Sequence, residues 1–237
     1  EKYRKKARKV GGSQTNAVYA AMLESLDAAV GQVLSALDSS GLTDHTVVVF
    51  TSDNGGLVLG QNPPTSNTPL RSGKGSPYEG GIRVPLLVRW PGVAVPQGRV
   101  DQPVISMDIA ATVAAAMSGS SAETLEDGSN LGPLLKDASA RLRRDVIGWH
   151  YPHYHPGGAT PYSAIRAGDW KLIQYYEDGR HELFDLAQDP GETRNVAAEQ
   201  PQRVMDLSRR LADWQGRVGA QWPMSNPDYQ AQPLSVS

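Results

Sequence analysis

Three short stretches concentrate side chains able to do chemistry. Residues 51 to 56 read TSDNGG, directly after the apolar run TVVVF. Asp53 and Asn54 set a carboxylate beside an amide oxygen, donors that suit a hard cation such as Ca²⁺ or Mg²⁺. The same letters also suit a tight turn, because Asp and Asn tolerate unusual backbone angles and Gly supplies positive φ. In RSGKGSPYEGG, residues 71 to 81, Lys74 stands between two glycines, so its ammonium and the backbone can both approach an anion closely. The GxxxxGK[ST] spacing of a P-loop is absent, and a solvated loop lysine is the plainer alternative. HYPHYH at 150 to 155 supplies His150, His153 and His155, whose alternation with Tyr and Pro matches no zinc-ligand spacing. Contact with a polar or anionic substrate suits them better. No G-x-S-x-G nucleophile elbow accompanies them.

The elements around these residues define where they stand. AVYAAMLESLDAAVGQVLSALD, residues 17 to 38, places Val18, Met22, Leu26, Ala29, Val33 and Leu37 at helical spacing, one apolar stripe to lie on a sheet. Thr15 or Asn16 can cap its start, and Gly41 followed by Leu42 suits a Schellman stop. The run Thr46 to Phe50 is β-branched and aromatic without alternation, the pattern of a strand covered on both faces, which points to an α/β layer with a mainly parallel sheet. Ligand sites in such sheets form beyond the carboxyl ends of the strands, where Asp53 and Asn54 fall. Residues 55 to 81 read as a long loop, 82 to 90 as a strand, 104 to 117 as a helix and 118 to 130 as a polar loop.

From about residue 143 the pattern changes to short strands, DVIGWHY, YSAIRAG, DWKLIQYY and HELFDL, separated by turn residues. They predict an antiparallel meander, covered by a final helix from about Gln202 to Val218 through Val204, Leu207, Leu211 and Trp214. The division drawn from sequence is therefore 1–142, an α/β region, and 143–237, a small antiparallel subdomain with a terminal helix.

Composition bounds the possible functions. The chain has 237 residues, 39% apolar and 20% charged, with a formal net charge of −2, which argues against a nucleic-acid binder. The first nine residues hold six Lys or Arg, read as a solvated helix face. Zero cysteines exclude disulfides, thiolate nucleophiles and Cys-ligated zinc. No apolar stretch approaches the ~20 residues of a membrane span by this reading. A start at Glu1 inside a charged helix suggests a processed product or a piece of something longer.

Taken together, VVVFTSDNGG, LRSGKGSPYEGGIRVPLLVRWPG and SAIRAGDWKLIQYYEDGRHELFDLAQDPGETRNVA resemble the C-terminal half of a type I, formylglycine-dependent sulfatase of the alkaline-phosphatase-like superfamily. The resemblance implies that Asp53 and Asn54 ligate Ca²⁺, that Lys74 contacts the sulfate, and that His150 and His153 lie near the substrate mouth. It makes Arg71, Glu79, Arg83 and Arg166 structural ion-pair formers around the loop. It further implies hydrolysis of sulfate esters on a sulfated sugar or aryl sulfate, and export to the periplasm or outside. The C/S-x-P-S-R motif whose Cys or Ser becomes formylglycine is missing, so the chain alone is expected to be inactive. A phosphodiesterase or phosphonate hydrolase of the same superfamily, or a non-catalytic glycan-binding module, stays open as an alternative. The oligomeric state is not legible.

Overall fold

The computed structural model describes residues 1–10, 14–60, 63–96, 98–118, 124–125, 127–156, 158–224 and 226–228. Parts of the two expected polar loops, residue 157 of the PGG turn and the end of the tail lie outside these. The described chain forms two compact units, one from 1–68 and 83–145, the other from 69–82 and 146–237. The 69–82 segment, placed with the first region from sequence, thus packs with the second.

The first unit is α/β. Helix α1 (Lys2–Val10) is followed by α2 (Ala17–Ser39), whose start is capped by the Asn16 side chain accepting from the amides of Val18 and Tyr19 at 3.0 and 2.9 Å. Its end is a Schellman stop: Gly41 takes φ 68°, Leu42 N donates to Leu37 O at 2.9 Å, and Gly41 N donates to Asp38 O at 3.0 Å. Lys2 pairs with Glu24 across the two helices. After a single 3-10 turn, β1 (Val48–Thr51) pairs with β2 (Leu86–Arg89), and α3 (Glu79–Ile82) lies between them in sequence.

Two features differ from expectation. The β1–β2 pair is antiparallel, with Val48 opposite Arg89 and Thr51 opposite Leu86. The long excursion from 52 to 85 brings the chain back beside the strand it left, where a crossover helix would have made the pair parallel. Strand β2 also starts only after Pro85, which has no N–H to donate to a ladder. Second, the α2 stripe is uncovered among the described residues: Val18, Met22 and Val33 are 65%, 62% and 61% exposed. Over its most apolar window α2 reaches a mean hydropathy of 1.2, long and apolar enough by composition alone to cross a membrane. Glu24 and Asp27 interrupt it, and its one-sided stripe is the pattern of a helix packed on protein.

Helix α4 (Met107–Ser118) follows, then the short pair β3 (Thr124–Leu125) and β4 (Gly128–Ser129), then α5 (Gly132–Lys136). Fully buried Asp108 ties them together. Its carboxylate accepts from the amides of Ile105 and Ser129, each at 2.8 Å, and from Arg144 Nη1 at 2.9 Å.

The second unit is the predicted meander, four strands in the order β5 (Ile147–Tyr151), β6 (Tyr162–Ala167), β7 (Trp170–Tyr175) and β8 (His181–Asp185). Alternation sorts its side chains. Ile165, Leu172 and Leu183 face α6 (Pro201–Val218) and pack on Leu207 and Leu211, with Val204 and Trp214 at the margin. Tyr162, Ala164, Ile173, Tyr175 and Phe184 face the other way and meet Tyr78 of the 69–82 segment. Trp214 lies so close to β5 that a Cβ on Gly148 would come within 2.5 Å of its ring.

Leu211 is fully buried between α6 and the sheet. Leu211→Ala should therefore cost about 2–5 kcal/mol of stability, read as a lowered urea midpoint with an unchanged m-value.

Candidate functional site

On the first unit, Thr51 ends β1 and anchors the turn by donating its hydroxyl to Pro85 O at 2.9 Å. Asp53 follows exposed and Asn54 half-buried, and Ser52 Oγ donates to Asn54 O at 2.9 Å. Gly56 behind them answers to packing. Gly56 exchanges hydrogen bonds with the Asn67 amide at 3.2 and 2.9 Å, and a Cβ there would lie 2.4 Å from the Thr65 methyl. Its φ is not positive, so close approach and not backbone angle selects glycine.

Asp53 and Asn54 match a Ca²⁺ site in kind, both being oxygen donors, and fall short of it in number, since such sites gather about six to eight oxygens. Among the described residues no three His, Asp or Glu side chains stand together to hold a metal. The two donors therefore do not by themselves make a metal site.

On the second unit, the loop carrying Lys74 is closed at its base. Gly80 N donates to Arg71 O at 2.9 Å, while Ser76 N and Oγ both donate to Gly73 O, at 3.1 and 2.8 Å. Cβ atoms on Gly80 or Gly81 would lie 2.3 to 2.4 Å from the carbonyl oxygens of Ser72, Arg71 and Ser76, so both glycines are required by the fold of the loop on itself. At its tip Ser72 and Gly75 take φ of 59° and 85°, and Lys74 between them is exposed.

A buried ion cluster holds this loop to the sheet. Lys171, on β7 and fully buried, lies 3.1 Å from Glu79 Oε1 and 2.8 Å from Glu192 Oε1. Arg166 of β6 adds a contact at 3.5 Å to Glu79 Oε2, and the Glu79 amide donates to Glu192 Oε2 at 2.6 Å. Burial pushes the Glu192 carboxyl above its ordinary range, opposed by the Lys171 ammonium and by the Glu79 amide. Arg71 completes the attachment: it donates to Glu192 O at 2.9 Å and lies 3.8 Å over the Tyr78 ring, while Tyr78 donates to Glu182 Oε2 at 2.7 Å. Burial drives the Tyr78 hydroxyl far above the usual tyrosine range, aided by its bonds to Tyr175 and Glu182.

The histidines separate. Half-buried His150 has both ring nitrogens engaged, Nε2 at 2.6 Å from Gln221 O and Nδ1 at 2.7 Å from Ser163 Oγ. Because a carbonyl only accepts, the neutral ring carries its proton on Nε2, and Ser163 donates to Nδ1. Ser163 and Tyr176 in turn accept from Gln215 Nε2 at 2.9 and 2.8 Å, which closes the network with α6. His153 is exposed, with its ring edge-on to Tyr151 at 5.5 Å. His155 sits against the Lys74 loop at Gly75.

Of the five site residues read from sequence, Asp53 and Asn54 stand on the first unit, and Lys74, His150 and His153 on the second. Arg71, Glu79 and Arg166 form the expected ion pairs, and Arg83 lies exposed after α3. Sequence reasoning missed Lys171 and Glu192. Their signals were a lysine inside the strand run DWKLIQYY and an acid after DPG. Lys171→Met would strand two buried carboxylates. It should cost about 3–5 kcal/mol by chemical denaturation, and adding Glu192→Gln should recover part of that loss.

Comparison with known proteins bears on the family and the fold. The family model described as Sulfatase matches residues 1–120, and that described as N-sulphoglucosamine sulphohydrolase, C-terminal, matches 73–216. A sulfatase of Formosa agariphila is 38% identical over 216 residues, covering 83% of this chain and 38% of the relative. Human arylsulfatase A is 33% identical over 189 residues, covering 79% and 36%. Among solved structures, BT4656 in complex with its substrate D-glucosamine-2-N,6-O-disulfate superposes with TM-score 0.72 at 26% identity, covering 94% of this chain and 46% of that one. A Bacteroides thetaiotaomicron protein of glycosaminoglycan metabolism gives TM-score 0.66 at 31% identity, covering 81% and 43%. The chain spans less than half the length of these relatives. With the helix–strand–DNGG segment, the closed GKG loop and the meander all matched in order, the chain belongs to the sulfatase family.

Proposed function

We propose that the protein of which this chain carries the sequence hydrolyses sulfate esters on sulfated sugars, and that Lys74 binds the sulfate. The observation that carries this reading is the loop itself. A lysine held exposed at the tip of a segment closed at its base, and fixed to the sheet by buried ions, is a cation presented at a defined place. An ammonium so held draws charge from sulfate oxygens and stabilises the negative charge gained in the transition state. Relatives named for glycan sulfates, among them an N-acetylgalactosamine-6-O-sulfatase of Bacteroides thetaiotaomicron at 32% identity, support a sugar as the alcohol.

Asp53 and Asn54 would be two ligands of a Ca²⁺ ion whose shell is completed by residues that this sequence does not supply. Formylglycine, also from outside this sequence, would supply the nucleophile. His153, exposed at the end of β5, is placed by this reading at the sugar. His150 reaches a substrate only by giving up its bond to the Gln221 carbonyl, so its first role is to fix the end of β5. Export to the periplasm or beyond completes the reading.

The full reading frame that encodes this chain should turn over an aryl sulfate faster than the matched aryl phosphate diester. Preference for the phosphate ester would overturn the sulfatase reading. In the same enzyme Lys74→Ala should lower kcat/KM by roughly 10²–10³, and near wild-type kinetics would remove Lys74 from the site.

A further inference from the structure

The sequence offers His155 as the third member of a histidine run, with no role of its own. The structure gives it a definite seat. A Cβ on Gly75 would lie 2.2 Å from His155 Nδ1 and 2.3 Å from Cε1, so the imidazole occupies the space a side chain at 75 would fill. Gly75 also takes φ 85°, a conformation costly for other residues, so glycine is required there twice over. His155 is itself held: its amide donates to Ala159 O at 2.9 Å, and its carbonyl accepts from Gly158 N at 2.9 Å. The Tyr151 ring lies alongside, 6.4 Å away between centroids. A histidine whose backbone is held by its own turn thereby sets its ring against Gly75, the residue that follows Lys74.

We propose that His155 is a positioning residue for Lys74. The buried ions fix the base of the loop, at Glu79. They do not reach its tip, where Ser72 and Gly75 are both in the left-handed region and Lys74 is exposed. The imidazole supplies the missing support, and it acts through shape: its bulk beside Gly75 limits where the Lys74–Gly75 peptide can go, and so where the ammonium points. This inference rests on the sulfatase reading for its catalytic consequence, but the seat itself can be tested without it.

In the intact enzyme His155→Ala should lower kcat on an aryl sulfate roughly 10- to 100-fold, the cost of a misplacement near 1 Å, with KM and Tm little changed. His155→Phe, which returns a flat ring, should restore most of that loss. A Phe variant as slow as the Ala variant would overturn the proposal, because the ring nitrogens would then be acting directly. Gly75→Ala should also slow the enzyme, and its effect should shrink when made in His155→Ala; additive losses would overturn the contact. In the intact protein, hydrogen exchange at the Ser76 amide, which donates to Gly73 O, should quicken in His155→Ala and not in His155→Phe. Unchanged exchange in the Ala variant would overturn the seat whatever the enzyme does. Absence of aryl sulfate turnover in the wild type would instead overturn the sulfatase reading and leave the exchange result to decide the seat.

Discussion

The second unit depends on one buried interaction, the Lys171 ammonium held between the Glu79 and Glu192 carboxylates. Lys171 rises from the middle of β7, Glu79 closes the Lys74 loop, and Glu192 lies beyond β8. Three stretches far apart in sequence therefore meet at one charge. Glu192 takes φ 51°, an uncommon angle for a residue with a side chain, and its carboxylate, its backbone carbonyl and its partners all serve the same joint. An apolar contact of similar area would hold the loop down without fixing its position. Ion pairs and hydrogen bonds that each need a direction fix both.

The two faces of the meander divide the work. One receives α6 through aliphatic packing, with Leu172, Leu183 and Leu211 excluded from water. The other is aromatic and charged, receiving Tyr78 against Phe184 and the loop's acid against Lys171 and Arg166. Strict alternation lets one strand serve both: Trp170 and Leu172 point to the helix, Lys171 and Ile173 to the loop. The same rule puts His150 on the helix side, in the Ser163–Tyr176–Gln215 network, while its neighbours Trp149 and Tyr151 face the loop. The histidine cluster is thus divided: the pleat turns His150 inward, while His153 and His155 follow the end of β5, the one exposed and the other against Gly75.

That split shows what was legible. The strands and turns of the meander and its terminal helix follow from alternation and 3.6-residue spacing, because their residues bury against neighbours close in sequence, and they appear where the pattern puts them. The α2 caps were legible for the same reason, since Asn16 and Gly41 satisfy backbone groups within a few residues. The partners of Glu79 were not, because Lys171 lies 92 residues away and a lone lysine in a strand run states no partner. The direction of the β1–β2 pair was also hidden: a β-branched apolar run reads alike in parallel and antiparallel sheets, the long connection decides, and the run expected to be covered on both faces leaves Phe50 41% exposed among the described residues. For Asp53 and Asn54 the strand end was legible and the completeness of a ligand shell was not, since a shell is a property of convergence in space.

Placing buried ions under a surface lysine needs a physical reason, since burying charge costs several kcal/mol per ion and an apolar replacement is often as stable. On the proposed reading, the reason lies in what a sulfate-binding tip lysine needs. Its side chain has four rotatable bonds and about 2 kcal/mol of rotamer entropy, so a mobile backbone would spread the ammonium over a wide volume. Preorganised charge stabilises a transition state only if it is already in place when charge develops. The cluster has equal numbers of opposite charges, Lys171 and Arg166 against Glu79 and Glu192, so these four side chains add no net charge to compete with Lys74 for an anion. Neutral overall and directional in each bond, it can anchor the loop and leave Lys74 as the charge presented at the tip.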